Sequence, residues 1–170
     1  MTRNPTYHSI GDHTESLQIR YDPEMIDYGY ILETFQKSHI ITDRSFSRQY
    51  RSAIFYHDET QRRIAQKMLE RVEKDTRKRV YTQIEALKIF YPAEDYHQKY
   101  ALRRHPEIIR LLVNHYKNEK EFMESTIAAR LNGYLGGHGN LGIVREEILK
   151  LDIEDDKKTK LIGLLEKVIR

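Results

Sequence analysis

The chain has 170 residues, of which 32% are charged and 39% hydrophobic, and 29 Lys and Arg against 26 Asp and Glu give a formal charge of +3. That length suits one domain with a modest extension and buries a core without a metal or disulfide staple, and so small a charge excess does not argue for a nucleic-acid or membrane partner. Cysteine and tryptophan are both absent, which excludes disulfides, thiolate metal sites, iron–sulfur clusters and a cysteine nucleophile within these residues.

The first periodic segment is 14–21, where Leu17, Ile19 and Tyr21 alternate with Ser16, Gln18 and Arg20. Period two over eight residues predicts a half-buried strand, and Asp22-Pro23 ends it. A helix is expected over 27–37, with Ile31, Leu32 and Phe35 on one face. A polar loop follows over 38–49, then a short strand over 52–56. Asp58 with Gln61 three residues on forms a capping box ahead of a helix whose apolar stripe is Ile64, Met68, Leu69 and Val72.

Residues 71–79 hold five bases against two acids, which reads as a solvated helix end with cations near the negative end of the dipole. A third strand is expected over 81–87, with Ile84 and Leu87 as core residues. From about Glu94 the pattern turns helical, with helices over 106–116, 120–132, 143–151 and 155–169. The run Gly133-Tyr134-Leu135-Gly136-Gly137-His138-Gly139 lacks the Gly-Lys-Ser/Thr ending of a phosphate loop and reads as a helix end and turn. The fold class is α+β: a small mixed sheet with helices packed on it, plus a C-terminal helical extension. No apolar run approaches a membrane span and the N-terminus has no secretory pattern, so the cytoplasm is the expected compartment.

Three stretches then carry a resemblance. They are Asn4-Pro5-Thr6-Tyr7 with Gly11-Asp12-His13-Thr14-Glu15 and Tyr21-Asp22-Pro23; Ser47-Arg48-Gln49-Tyr50-Arg51-Ser52-Ala53-Ile54-Phe55-Tyr56; and Phe90-Tyr91-Pro92-Ala93-Glu94-Asp95-Tyr96-His97-Gln98-Lys99-Tyr100. In this order and spacing, the chain resembles the peptide methionine sulfoxide reductase A family. The match covers roughly 4–103, and 128–137 looks like an extension carried by some members. The domain division expected from it is a core over 1–104 and a helical extension over 105–170, the core having the family's ferredoxin-like two-layer form.

The resemblance implies reduction of methionine S-sulfoxide in peptides and proteins, a repair of oxidative damage. In the family a cysteine thiolate attacks the sulfoxide sulfur, a buried glutamic acid and two tyrosines hold the oxygen, and thioredoxin or another thiol clears the sulfenic acid. Glu15 falls at the family's acid, and Tyr7 and Tyr50 at its tyrosines. A carboxyl that donates a proton near neutral pH needs an apolar, water-poor pocket to disfavour its anion, and a phenol donates to an oxyanion without carrying charge. His13 and His97 read as structural hydrogen-bonding residues rather than ligands or catalysts. No bound cofactor, metal, nucleic acid or membrane partner is expected.

The family's Gly-Cys-Phe-Trp-Gly signature has no counterpart here, and its usual aspartate before the second motif is Ser45, with Asp43 nearby. The sequence reading therefore expects the nucleophile-bearing strand to be missing in front of the first motif. Three explanations follow: a start at an internal methionine, with a cysteine or selenocysteine encoded upstream; a split enzyme; or a non-catalytic descendant that binds methionine sulfoxide or a partner. On any of them the chain alone should be inactive. With a central strand missing, it should also be marginally soluble, dimerise through the open edge, or melt without cooperativity.

Overall fold

Period-two and helical-period segments alternate early in the chain and only helical ones follow, and the architecture divides in the same way. The computed structural model describes residues 5, 6 and 8–168. Compactness separates Met1–Pro92 from Ala93–Arg170. The 1–104 core drawn from motif content therefore ends inside the second unit.

In the first unit, α1 (Tyr28–Ser38) starts at Asp27, whose carboxylate accepts from the Tyr30 N–H at 2.8 Å. Strand β1 (Ala53–Tyr56) leads into α2 (Glu59–Thr76) and then strand β2 (Gln83–Ala86). The expected Asp58 cap is present, the Gln61 N–H donating to Asp58 Oδ1 at 2.9 Å, and the return bond falls one residue before the cap, with Gln61 Oε1 accepting from the His57 N–H at 2.9 Å. β1 and β2 pair in parallel, Ile54 opposite Ile84 and Phe55 opposite Glu85. Side chains alternate across a strand, so Ile54 and Ile84 share the face packed with Ala65, Met68 and Val72 of α2. Leu32 and Ile41 complete this small core. Phe55 and Glu85 occupy the opposite face.

The expected strand over 14–21 is corrected: no ladder forms there among the described residues. Among the described residues a single backbone bond links it to another segment, Glu15 N–H to the Gln49 carbonyl at 2.9 Å. A strand needs a run of such bonds, and period two alone does not supply the neighbour. Leu17 and Ile19, expected to point inward, are 84% and 50% exposed.

The second unit is helical: α3 (Tyr100–Arg103), α4 (Pro106–Leu112), α5 (Glu119–Glu124), α6 (Thr126–Leu135), α7 (Leu141–Lys150) and α8 (Asp155–Val168). Their inward residues, among them Leu102, Ile108, Leu112, Phe122, Leu131, Ile148, Leu161 and Leu165, are fully enclosed. The single helix expected over 120–132 is two. Ser125 is extended (φ −73°, ψ 157°), its hydroxyl donates to the Phe122 carbonyl, and it accepts from the Ala128 N–H. A serine that serves as a cap competes with helix continuation. The glycine run ends α6 as expected, with Gly137 at φ 85° and Gly139 at φ 109°, where a side chain is strained. No helix among the described residues is long and apolar enough to cross a membrane.

Candidate functional site

The second motif, 47–56, runs from a turn into β1 and so presents consecutive polar side chains beside the chain that carries Glu15. Two backbone and hydroxyl bonds tie these segments together. The Glu15 N–H donates to the Gln49 carbonyl at 2.9 Å, and Thr14 Oγ1 donates to the Arg48 carbonyl at 3.0 Å.

Side chains extend the tie. The Gln49 amide nitrogen lies 2.7 Å from Glu15 Oε1 and 3.1 Å from the Tyr50 hydroxyl oxygen, donating to both. Arg51 Nε donates to Thr14 Oγ1 at 2.8 Å. Its guanidinium also bonds Gln83 and both carboxylate oxygens of Glu85, with Nη2 3.0 Å from Glu85 Oε2. The same guanidinium lies 5.7 Å from the Phe55 ring centre, within reach of a cation–π contact. Arg51 thus braces the Glu15 segment against β2. The hydrogen bond from Arg51 holds the Glu85 carboxyl below the usual range, against a smaller opposing effect of burial and with further help from the charges of Arg51, Arg48 and Lys88.

Of the sequence-assigned residues, Glu15 and Tyr50 meet through one amide. Tyr7 lies outside the described residues. The expectation of a buried Glu15 is corrected: the residue is exposed, and Tyr50 is 57% exposed. Burying a carboxyl takes apolar surface on several sides, whereas the Glu15 carboxyl meets the Gln49 side-chain amide and its N–H meets the Gln49 carbonyl. An open groove of about 390 Å³ shares Arg48 and Arg51 with the network and is otherwise lined by Ser45, Phe46, Ser47, Gln83 and Glu85. Glu15 and Tyr50 are not in that lining.

Asp43 sits in a turn where its N–H donates to the Ile40 carbonyl, and Ser45 closes a local turn with Ser47. His13 packs edge-on against Tyr91 with ring centres 5.3 Å apart. His97 lies against its neighbour Tyr96 with ring centres 4.2 Å apart and the planes tilted by 42°. No group of three or more potential metal ligands is found among the described residues.

The sequence reading assigned no role to Gln49, Thr14, Arg51 or Glu85. Gln49 stands beside Tyr50 in the same motif, which is the one signal that could have drawn attention to it.

A carboxyl and a phenol joined through a shared amide donor form a polar, solvent-facing cluster. A sequence profile described as peptide methionine sulfoxide reductase matches residues 1–131. A Drosophila melanogaster peptide methionine sulfoxide reductase is 40% identical over 139 residues, covering 81% of this chain and 55% of the relative. Peptide methionine sulfoxide reductase A5 of Arabidopsis thaliana is 40% identical over 137 residues, covering 77% and 53%. The MsrA protein of Saccharolobus solfataricus is 37% identical over 131 residues, covering 71% and 73%. The chain belongs to the peptide methionine sulfoxide reductase family. It spans about half the length of the fly and plant relatives.

Proposed function

We propose that this chain carries the oxygen-holding part of a peptide-methionine (S)-S-oxide reductase, with Glu15, Tyr50 and Tyr7 as its proton and hydrogen-bond donors. Because the sequence holds no cysteine, the attacking thiol or selenol belongs to residues outside it. The nucleophile's sulfur or selenium takes the sulfoxide oxygen and the substrate becomes methionine. The nucleophile becomes a sulfenic or selenenic acid, and two reductant thiols, delivered by thioredoxin or a similar dithiol, return it with release of water. In the complete site Glu15 supplies the proton to the departing oxygen once apolar surface from the nucleophile-bearing residues or the substrate covers its exposed carboxyl, and the phenols donate to that oxygen as charge develops.

The observation that carries this reading is the meeting of Glu15 with the 48–51 motif across 34 residues of sequence. The test is titration of the 170-residue chain with N-acetylmethionine S-sulfoxide, followed by NMR. Saturable binding that Glu15→Gln and Tyr50→Phe each weaken about tenfold supports it, as expected for loss of one hydrogen bond to a polar ligand. Equal binding by all three proteins would sink it.

A second reading, a non-catalytic protein that binds methionine sulfoxide, is favoured by the absence of cysteine. Translating the DNA upstream of the Met1 codon in frame separates the two. A Gly-Cys-Phe-Trp-Gly segment, or the same with an in-frame stop at the cysteine, favours the reductase. Unrelated sequence favours the binder.

A further inference from the structure

Gln49 is half-buried and holds Glu15 twice, through its carbonyl on the Glu15 N–H and through its side-chain amide on Oε1. The same amide nitrogen reaches the Tyr50 oxygen at 3.1 Å. A primary amide nitrogen has two hydrogens, so one group serves both acceptors. The opposite amide orientation would set a carbonyl oxygen against a carboxylate, which is repulsive.

The consequence is directional. With the carboxylate form setting the amide orientation and Oε1 accepting from Gln49, a proton taken up by Glu15 during the reaction is placed on Oε2. A phenol has one hydrogen, and a lone pair engaged by Gln49 turns that hydrogen away from the amide. Both acidic hydrogens are thereby pointed away from Gln49.

We infer that Gln49 is a positioning residue for the sulfoxide-oxygen site, fixing which atoms of Glu15 and Tyr50 face the ligand oxygen. The inference rests on the function proposed above. Orientation matters more for one sulfoxide epimer than for the other, because oxygen and methyl exchange places between them.

The test uses the full chain titrated separately with N-acetylmethionine S-sulfoxide and its R epimer, in unmodified, Gln49→Ala and Gln49→Glu forms. Amide spectra check the fold of each. The expected result is about a tenfold loss of S-epimer affinity in both variants, with the S-to-R preference falling towards one. Equal weakening of both epimers would indicate a structural role and overturn the inference. If Glu15→Gln and Tyr50→Phe weaken binding but Gln49→Ala does not, the inference fails and the functional reading stands. If none of the variants changes binding, the functional reading fails and takes the inference with it.

Should Gln49→Ala fail to fold, the unmodified chain still decides. The Gln49 side-chain amide hydrogens should exchange several-fold more slowly than those of exposed Gln18. Exchange at the Gln18 rate would show that no clamp exists.

Discussion

Arg51 is the side chain on which the arrangement around Glu15 depends, since it joins Thr14 to Gln83 and Glu85 while lying against Phe55. Replacing it by Ala leaves Thr14 and Glu85 without that partner and should cost about 1–2 kcal/mol, measured by urea unfolding. Arg51→Lys should recover only part of this, because an ammonium cannot bridge two oxygens and a hydroxyl in one plane. Glu85 gives the pair a pH signature. Its folded pKa is depressed below the ordinary 4.5, so its contribution is present above that value and is lost as pH falls through the folded pKa. Since the Glu85 side chain is 41% exposed, screening limits the effect to a fraction of a kcal/mol. Thermal unfolding of Glu85→Gln should accordingly differ from the parent near neutrality and converge with it in acid. A constant difference across that range would contradict the pairing. At this scale Glu15 and Tyr50 were singled out through their motifs, whereas Gln49 was not: an amide next to a tyrosine has no local signature, and its partner lies 34 residues away.

Local rules sufficed for some elements. α2 was readable because its cap and its stripe both lie within its own residues: Asp58 and Gln61 fix the start, and Ala65, Met68 and Val72 are buried on one face. The division of the expected 120–132 helix at Ser125 was not readable. A serine inside an apolar period becomes a cap only if the next helix leaves at an angle that packing rewards. Ser125→Ala removes the acceptor for the Ala128 N–H and should cost about 1 kcal/mol by chemical denaturation. At Gly137, with φ 85° and open space around the would-be Cβ, substitution by Ala should cost about 1 kcal/mol from backbone strain alone. The strand expected over 14–21 failed for the converse reason. Its alternation is real, but alternation describes a face, and a face becomes a strand only when a ladder stands beside it.

The two units differ in how much they enclose. Among the described residues, the helical one encloses thirteen buried hydrophobic residues in a single cluster, against six in the first. The first also exposes Phe46 (97%), Leu17 (84%), Met25 (83%) and Ile40 (67%). Exposed apolar surface of this kind favours association. Amide exchange should therefore be slowest in α4, α6 and α8, and much faster in β1 and β2. Binding of an apolar dye should map to the first unit. Leu131→Ala, at a fully enclosed position, should destabilise the helical unit by about 2–5 kcal/mol, read from helix loss on denaturation. Uniform exchange across both units would count against this ranking.

By itself the sequence determined the α+β class, the capped and striped α2, the helical character after Glu94 and, through three spaced motifs, the family. Each of these depends on residues close together in the chain or on patterns of identity. Only the tertiary structure decided that Glu15 meets the 48–51 motif through Gln49 and that Arg51 braces it against β2. It also decided that Glu15 stands exposed and that 14–21 has no ladder. Those outcomes depend on which groups come within about 3 Å across long stretches of chain, and on how much apolar surface is left to close over a charge. Local pattern encodes neither.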